Sequence, residues 1–209
     1  MDVLLSSAYW PNLHYFYYVL HAETIHLEQH EHYGKQSYRN RCVILSANGP
    51  LNLSIPVKNL KPKQLMSEVE IAYKENWKAR HWRAIQSAYN NSPYFEYFQQ
   101  DIQHFYEKEY DHLLDYNLHQ LKLLLKLFRV EKNIQLTQAF GKSFDQGNDL
   151  RPYSDPKLSY SQDPLVRDLL NQPYYQTFEA KFDFLPNLSI LDLLFNKGLE
   201  SLEYLHYRR

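Results

Sequence analysis

Histidine and glutamate at alternating positions form the first group whose residue types and spacing suggest chemistry. His26, Glu28, His30 and His32 are each two residues apart, so on a β-strand all four side chains would share one face. Three imidazoles and a carboxylate on one face could hold zinc. Tetrahedral zinc sites usually take ligands from several elements, however. The spacing therefore favours a solvated strand end entering a turn, and we predict no metal site.

Two arginines flank an asparagine a few residues later. Arg39 and Arg41 would project from the same face of an extended segment, with Lys35 nearby. Two adjacent guanidinium groups match a phosphate or carboxylate in bidentate geometry. A strand edge protected by charge would have the same sequence, so both interpretations stay open on spacing alone. We select Arg39, Asn40 and Arg41 as predicted binding residues for a small anionic ligand.

Two predicted helix starts share the pattern aromatic-x-Pro-Asn-Leu, at residues 9–13 and 184–188. Proline near the first helical position leaves neighbouring N–H groups free, and these groups together with the helix dipole favour an anion. Asn12 and Asn187 are therefore predicted ligand-binding residues. If both starts face the arginine surface, the three features form one anion pocket.

Two histidines are candidates for a general base, since an imidazole titrates near physiological pH. His81 lies on the apolar face of a predicted helix, where a lone histidine is usually a hydrogen-bonded core residue. His30 lies just after a predicted strand. We select His81 and His30 as the catalytic candidates.

Asp192 lies in a helical run that is apolar on almost every side. A carboxylate buried there needs a partner or stays protonated. Ser189, three residues earlier, gives the pattern of a capping box, in which the Asp192 side chain bonds the backbone of Ser189. We favour the capping interpretation.

Composition excludes several classes of function. The 209 residues include only five glycines, and no cluster fits the glycine-rich fingerprint of dinucleotide-binding proteins. With 23 basic and 24 acidic residues the net charge is -1, so no overall field attracts nucleic acid. The single cysteine fits a reducing compartment. No signal peptide and no transmembrane run is recognisable, so we predict a cytoplasmic protein.

Hydrophobic periodicity predicts the elements that position these residues. Strands are expected at residues 3–9, 24–29, 41–47, 51–57, 69–73 and 134–140. Helices are expected at residues 12–21, 77–89, 94–108, 114–128 and 189–197, the last ended by Gly198. The strand–helix–strand start suggests a βαβ unit, and Asn48-Gly49 predicts a hairpin. Residues 141–164 are expected to form a long irregular loop.

The predicted fold class is α+β, with a mixed β-sheet that includes the hairpin and a layer of helices against it. A doubly wound α/β fold is the alternative. We expect residues 1–209 to form a single domain.

Several stretches in combination resemble the WbqC-like family. They are the run Ser-Ala-Tyr-Trp-Pro-Asn-Leu-His-Tyr-Phe at residues 7–16, the run Tyr-Arg-Asn-Arg-Cys at residues 38–42, Asn48-Gly49 with Leu-Ser-Ile-Pro-Val at residues 53–57, and the blocks at residues 77–93 and 184–195. The resemblance implies a bacterial cytoplasmic protein, associated in some members with surface-polysaccharide assembly. It adds weight to Arg39, Asn40, Arg41, His81 and Asn187 as shared positions without giving any of them a role.

We therefore predict a bacterial transferase that acts on an activated sugar or acyl group in surface-polysaccharide biosynthesis. Arg39 and Arg41 would hold a phosphate or carboxylate, and His81 or His30 would be the general base. The alternative is a non-catalytic binding or scaffold protein for an anionic small ligand. The sequence specifies neither a cofactor nor an oligomeric state.

Overall fold

The chain is described from a computed structural model, over residues 1–208. Its strands are β1 (Asp2–Ser6), β2 (Thr24–Glu28), β3 (Arg41–Ser46), β4 (Gly49–Ser54), β5 (Asn133–Leu136) and β6 (Gly147–Asp149). Its helices are α1 (Leu13–His21), α2 (Trp77–Tyr89), α3 (Phe95–Glu107), α4 (Leu113–Leu127), α5 (Arg167–Leu170), α6 (Ile190–Lys197) and α7 (Ser201–Tyr204). Short 3-10 turns connect several of these elements.

The strands form two sheets. Four parallel strands lie in the order β5-β2-β1-β6, and the βαβ unit predicted from the first thirty residues is confirmed as β1–α1–β2. The antiparallel pair β3–β4 forms a separate two-stranded sheet. Its turn ends at Gly49, whose φ of +100° suits glycine. The predicted α+β class is confirmed, with the hairpin beside the parallel sheet and outside it.

Helices pack against one another and against strand β3 of the hairpin. α3 packs against α2 and α4, while α6 contacts α1, α3 and β3. The largest fully buried side chains are mainly aromatic: Trp10, Trp77, Tyr9, Tyr89, Tyr116, Phe16, Phe95, Phe128 and Phe195. Many of the aromatic side chains of the sequence are therefore used to pack the core. No helix of residues 1–208 is both long and apolar enough to cross a membrane.

Three predicted segments need correction. Residues 69–73 form no strand, because only the isolated bridges Val57–Ile71 and Glu70–His112 join them to neighbours. The strand predicted at residues 134–140 ends at Leu136. The segment predicted as irregular at residues 141–164 contains β6, whose Gly147 packs against β1 so closely that a Cβ there would lie 1.9 Å from the carbonyl oxygen of Asp2.

Candidate functional site

A narrow cavity lies at the carboxyl ends of β1 and β6. From β1 the chain crosses to β2 on one side, and β6 pairs with β1 on the other side. In open parallel sheets this change of direction creates a crevice that commonly binds ligands. The lining residues with polar side-chain groups are Ser6, Asn12, His14, Tyr15, Tyr18, Tyr38, Tyr153 and Ser154. The free volume of the cavity is about 10 Å³, which is room for roughly one water molecule.

One residue of the cavity lining, His14, is paired with a buried aspartate. His14, in the first turn of α1, places Nε2 2.9 Å from Oδ2 of Asp163. The hydroxyl of Tyr18, one helical turn later, donates to the same oxygen over 2.6 Å. The ring of Tyr153 lies 4.4 Å from the imidazole, between ring centroids. The side chains of His14 and Asp163 are only 3% and 7% exposed, so the pair is shielded from solvent.

Burial and hydrogen bonding together determine the charge state of this pair. It lowers the pKa of His14 below the ordinary value of 6.5, and the bond to Asp163 offsets this only in part. Burial alone would raise the pKa of Asp163, but hydrogen bonds from Tyr18 and His14 hold it below its usual value. The carboxylate can only accept hydrogen bonds. The neutral imidazole therefore carries its proton on Nε2 and its lone pair on Nδ1, as a general base requires.

A buried ion pair lies beside the cavity at the end of β1. Arg39 donates from Nε and Nη2 to the two carboxylate oxygens of Glu31, over 2.8 and 2.5 Å. Nη2 of Arg39 also donates to the hydroxyl oxygen of Ser6, the last residue of β1, over 3.0 Å. Arg39 is 8% exposed and Glu31 is 6% exposed. Through Ser6 the ion pair fixes the loop of residues 31–39 to the end of β1. Breaking the pair is costly, because removing either partner would leave the other as an uncompensated buried charge.

A second buried arginine, Arg151, binds carboxylates at the carboxyl ends of β2 and β6. Arg151 donates from Nε and Nη2 to Asp149 over 2.9 and 2.6 Å, and from Nη1 to Glu28 over 3.2 Å. Glu28 is completely buried at the end of β2. The ion pairs therefore tie the segment after β6, which covers the cavity, to the carboxyl edge of the parallel sheet.

The three predicted anion-binding residues of the Arg-Asn-Arg run have different surroundings. The guanidinium of Arg39 is occupied by Glu31. Asn40 donates from Nδ2 to the carbonyl oxygen of Ile55 over 2.8 Å. Arg41, by contrast, lines an open groove on the surface beside Asn40. Their binding of a ligand stays a prediction.

The two helix starts meet and bond to each other. The N–H groups of Leu13 and His14 donate to the carbonyl oxygen of Leu188 and to Oδ1 of Asn187, over 3.1 and 2.8 Å. The N–H of Ile190 donates to the carbonyl oxygen of Pro11 over 2.7 Å. The expectation that these N–H groups are free for an anion is therefore wrong, because the protein satisfies them itself.

The side chains of the two asparagines take part in this arrangement. Oδ1 of Asn12 accepts from the N–H of Tyr15 over 2.9 Å and caps α1. Asn187 adopts a φ of +55° and bonds α1 across the junction. Asn12 lines the cavity and also bonds the Tyr38 phenol, which opposes the rise that burial causes in the pKa of Tyr38. Its contact with a ligand stays a prediction.

His81 lies in the core, away from the cavity. Its Nδ1 is 2.8 Å from the hydroxyl of Tyr9, which is 2.7 Å from the hydroxyl of Tyr106. The ring also packs against Trp77. Burial lowers the pKa of His81 to about 4, so the ring is neutral at pH 7. The structure therefore gives His81 the surroundings of a hydrogen-bonded core histidine.

The four alternating residues near β2 do not converge. His26 bonds Asp2, with Nε2 3.3 Å from Oδ2, and Glu28 is engaged by Arg151. His30 and His32 lie beyond the end of β2, where the backbone N–H of His30 donates to Glu28 over 2.8 Å. Among residues 1–208, no group of three or more histidine, cysteine, aspartate or glutamate side chains could hold a metal ion.

The predicted capping box at α6 is wrong. The hydroxyl of Ser189 caps the helix by accepting from the N–H of Leu191, over 3.3 Å, but Asp192 turns away from Ser189. Its carboxylate accepts instead from Tyr89, Tyr174 and Gln176. The carboxylate finds partners on other elements because those elements pack against α6, which spacing along one helix cannot show.

Sequence reasoning missed the His14–Asp163 pair. A usable signal existed for His14, since it follows the first strand of a predicted βαβ unit and sites gather at the carboxyl ends of parallel strands. Asp163 gave no signal, because a carboxylate in a polar loop is usually solvated. The two residues are 149 positions apart.

Comparison with known proteins adds a family. The WbqC-like protein family matches residues 6–155 of the chain. The sequence is also 22% identical, over 99% of its length and 97% of the relative, to a protein of Mycobacterium tuberculosis named "Uncharacterized protein Rv1507c". No solved structure is significantly similar.

Proposed function

Because the chain belongs to the WbqC-like family, we propose that it is a bacterial transferase acting on an activated sugar or acyl group in surface-polysaccharide biosynthesis. The observation that carries the proposal is the buried His14–Asp163 pair, whose histidine lines a cavity at the carboxyl ends of β1 and β6. The single cysteine supports a cytoplasmic location. The predicted bases His81 and His30 are replaced by His14 in this proposal, since neither of them lines the cavity.

The proposed chemistry is general base catalysis by His14. Its Nδ1 takes the proton of an acceptor hydroxyl as the oxygen attacks the activated carbon, and the leaving group departs with its bonding electrons. Asp163 holds the Nε2–H, fixes the ring orientation and stabilises the imidazolium as it forms. A positioned base of this kind contributes about 10²- to 10⁴-fold to the rate.

The segment after β6 covers the cavity, so the site is closed in this structure. Tyr153 and Ser154 line the cavity from the segment after β6, and Asp163 belongs to the same part of the chain. A substrate larger than a water molecule requires the part of this segment beyond Arg151, which its ion pairs anchor to the sheet, to move. Since Asp163 moves with it, closure over a substrate would also complete the catalytic pair, which is a common way to exclude water from group transfer.

The proposal is tested by donor cleavage with the full chain. UDP-glucose and acetyl-CoA are the probes, with release of UDP or free thiol as the readout. We expect His14→Gln to lower turnover at least about 100-fold and Asp163→Asn to lower it less. Because burial lowers the pKa of His14, turnover should be constant from pH 7 to 8 and should fall only below about pH 6.5.

A matched control separates catalysis from folding. His104→Gln changes an exposed histidine of α3 and should leave both turnover and thermal stability unchanged. Nitrogen-15 shifts of the His14 ring should show a protonated Nε2 and a free Nδ1 at pH 7. Undiminished turnover in His14→Gln would refute the proposed base. Saturable binding of either probe without any turnover would favour the non-catalytic alternative.

A further inference from the structure

An open groove lies between residues 33–41 and residues 54–60, with a volume of about 340 Å³. Lys35, Arg41 and Lys58 supply its charged lining, and no carboxylate lines it. Lys58 forms an ion pair with Glu70 outside the groove. Lys35 and Arg41 have no ion pair within residues 1–208. The groove therefore carries positive charge that the described chain leaves unneutralised.

The guanidinium of Arg41 is the most unusual group in this groove. Its Nε is shielded from solvent and has no hydrogen-bond partner in the described chain. Shielding a charged donor without an acceptor costs free energy. Arg39, two residues earlier, shows the satisfied alternative, because Glu31 engages it in bidentate fashion. Arg41 lacks the corresponding anion.

Asn40 offers the opposite kind of group. Its Nδ2 is used by the carbonyl oxygen of Ile55, which fixes the orientation of the amide. Its Oδ1 is buried and accepts no hydrogen bond from residues 1–208. The groove thus combines a cationic donor that lacks an acceptor with a neutral acceptor that lacks a donor.

We propose that this groove is a second binding site, for a small ligand that joins a phosphate or carboxylate to a hydroxyl group. The anionic oxygens would bond the guanidinium of Arg41 and approach Lys35. Because Oδ1 of Asn40 is shielded from solvent, the ligand would have to displace the side chains that cover it before its hydroxyl donates to that oxygen. Hexose phosphates and uronic acids have this chemistry. Tyr33, which also lines the groove, supplies an aromatic ring for the face of a sugar.

The groove is distinct from the cavity, and its ligand binding does not depend on catalysis by His14. Tyr38 is the nearest connection, because it lines the cavity and the charge of Arg41 opposes the rise that burial causes in its pKa. Binding at the groove is measured without turnover. Its failure and the failure of the proposed transferase are therefore separate results.

Isothermal titration calorimetry of the full chain in 150 mM NaCl tests the proposal with glucose 1-phosphate, glucuronate, inorganic phosphate and glucose. We expect saturable binding of at least one of the first two probes, weaker binding of phosphate, and the weakest binding of glucose. Arg41→Gln should weaken binding about 10- to 100-fold. Lys35→Gln should weaken it about two- to fivefold.

The control is Arg83→Gln, which removes the same charge from an exposed position of α2 and should change affinity less than twofold. If Arg41→Gln does not fold, as judged by its thermal transition, Lys35→Gln carries the test because Lys35 is exposed. Equal weakening in the groove variants and in Arg83→Gln would show only a general charge effect. That result, or no saturable binding of glucose 1-phosphate and glucuronate at 10 mM, would overturn the proposal.

Discussion

Replacing Asp192 by asparagine should change how stability depends on pH. Asp192 is 1% exposed and accepts hydrogen bonds from Tyr89, Tyr174 and Gln176 over 2.9, 2.6 and 3.1 Å. Burial raises its pKa to about 6 from an ordinary value of 3.8, and the three donors limit the rise. The net effect is a carboxyl group that holds its proton longer in the folded chain than in the unfolded chain.

The sign and the size of the effect follow from proton linkage. Between about pH 4 and pH 6 the folded state binds a proton that the unfolded state has released, so the free energy of unfolding falls as pH rises. A pKa difference of about 2 corresponds to about 3 kcal/mol, at 1.36 kcal/mol per pH unit. Asparagine does not titrate. The unfolded carboxyl is already partly ionised at pH 4, so the stability of the natural chain minus that of Asp192→Asn should decrease by about 2 kcal/mol from pH 4 to pH 7.

Urea unfolding followed by tryptophan fluorescence at pH 4, 5, 6 and 7 measures this difference. Comparison at each pH cancels the titration of all other groups, and a constant denaturant slope validates the extrapolation. Asp101→Asn, at an exposed position of α3, is the control and should show almost no change with pH. A difference that is constant, or that grows with pH, would refute the reasoning. Growth would mean that the three donors stabilise the carboxylate more than burial penalises it.

Two further predictions concern the sheet and the buried charges beside it. Glu31→Gln should lower the free energy of unfolding by about 3–5 kcal/mol, because it leaves the buried Arg39 without its counterion. Urea denaturation measures this, and a loss below about 1 kcal/mol would contradict it. Gly147→Ala should cost about 3 kcal/mol, since its Cβ would collide with the carbonyl oxygen of Asp2. Hydrogen exchange at Leu150, whose N–H bonds Leu4, should accelerate, and unchanged protection would speak against the tight β1–β6 pairing.

Local patterns were sufficient to predict much of the fold. The helix expected at residues 77–89 has the same bounds in the structure, because its apolar spacing and its ends are encoded within the segment. The hairpin at Asn48-Gly49 is equally local. β6 was missed because Gly-Asn-Asp has no strand preference. Those residues are a strand only because β1 offers a parallel partner, so tertiary context overrides local propensity.

The candidate site was harder to predict than the fold, because it depends on contacts between residues that are distant in the sequence. His14 and Asp163 meet across 149 positions of sequence, and no spacing rule links a helix residue to a loop carboxylate. The Arg-Asn-Arg run was predicted to bind an anion because its residue types suit one. The run itself did not show that Glu31 would occupy Arg39 and leave Arg41 open. Which arginine finds an internal partner is decided by packing.

The junction between the starts of α1 and α6 also affects how the chain can fold during synthesis. The two residues joined by its side-chain bond, His14 and Asn187, are 173 positions apart. At typical rates of 5–20 residues per second, Asn187 is added about 9–35 s after His14. Through that interval the first turn of α1 lacks the acceptors that bond it in the finished fold. In the growing chain the N–H groups of Leu13 and His14 therefore stay without these two acceptors until Asn187 and Leu188 have left the ribosome.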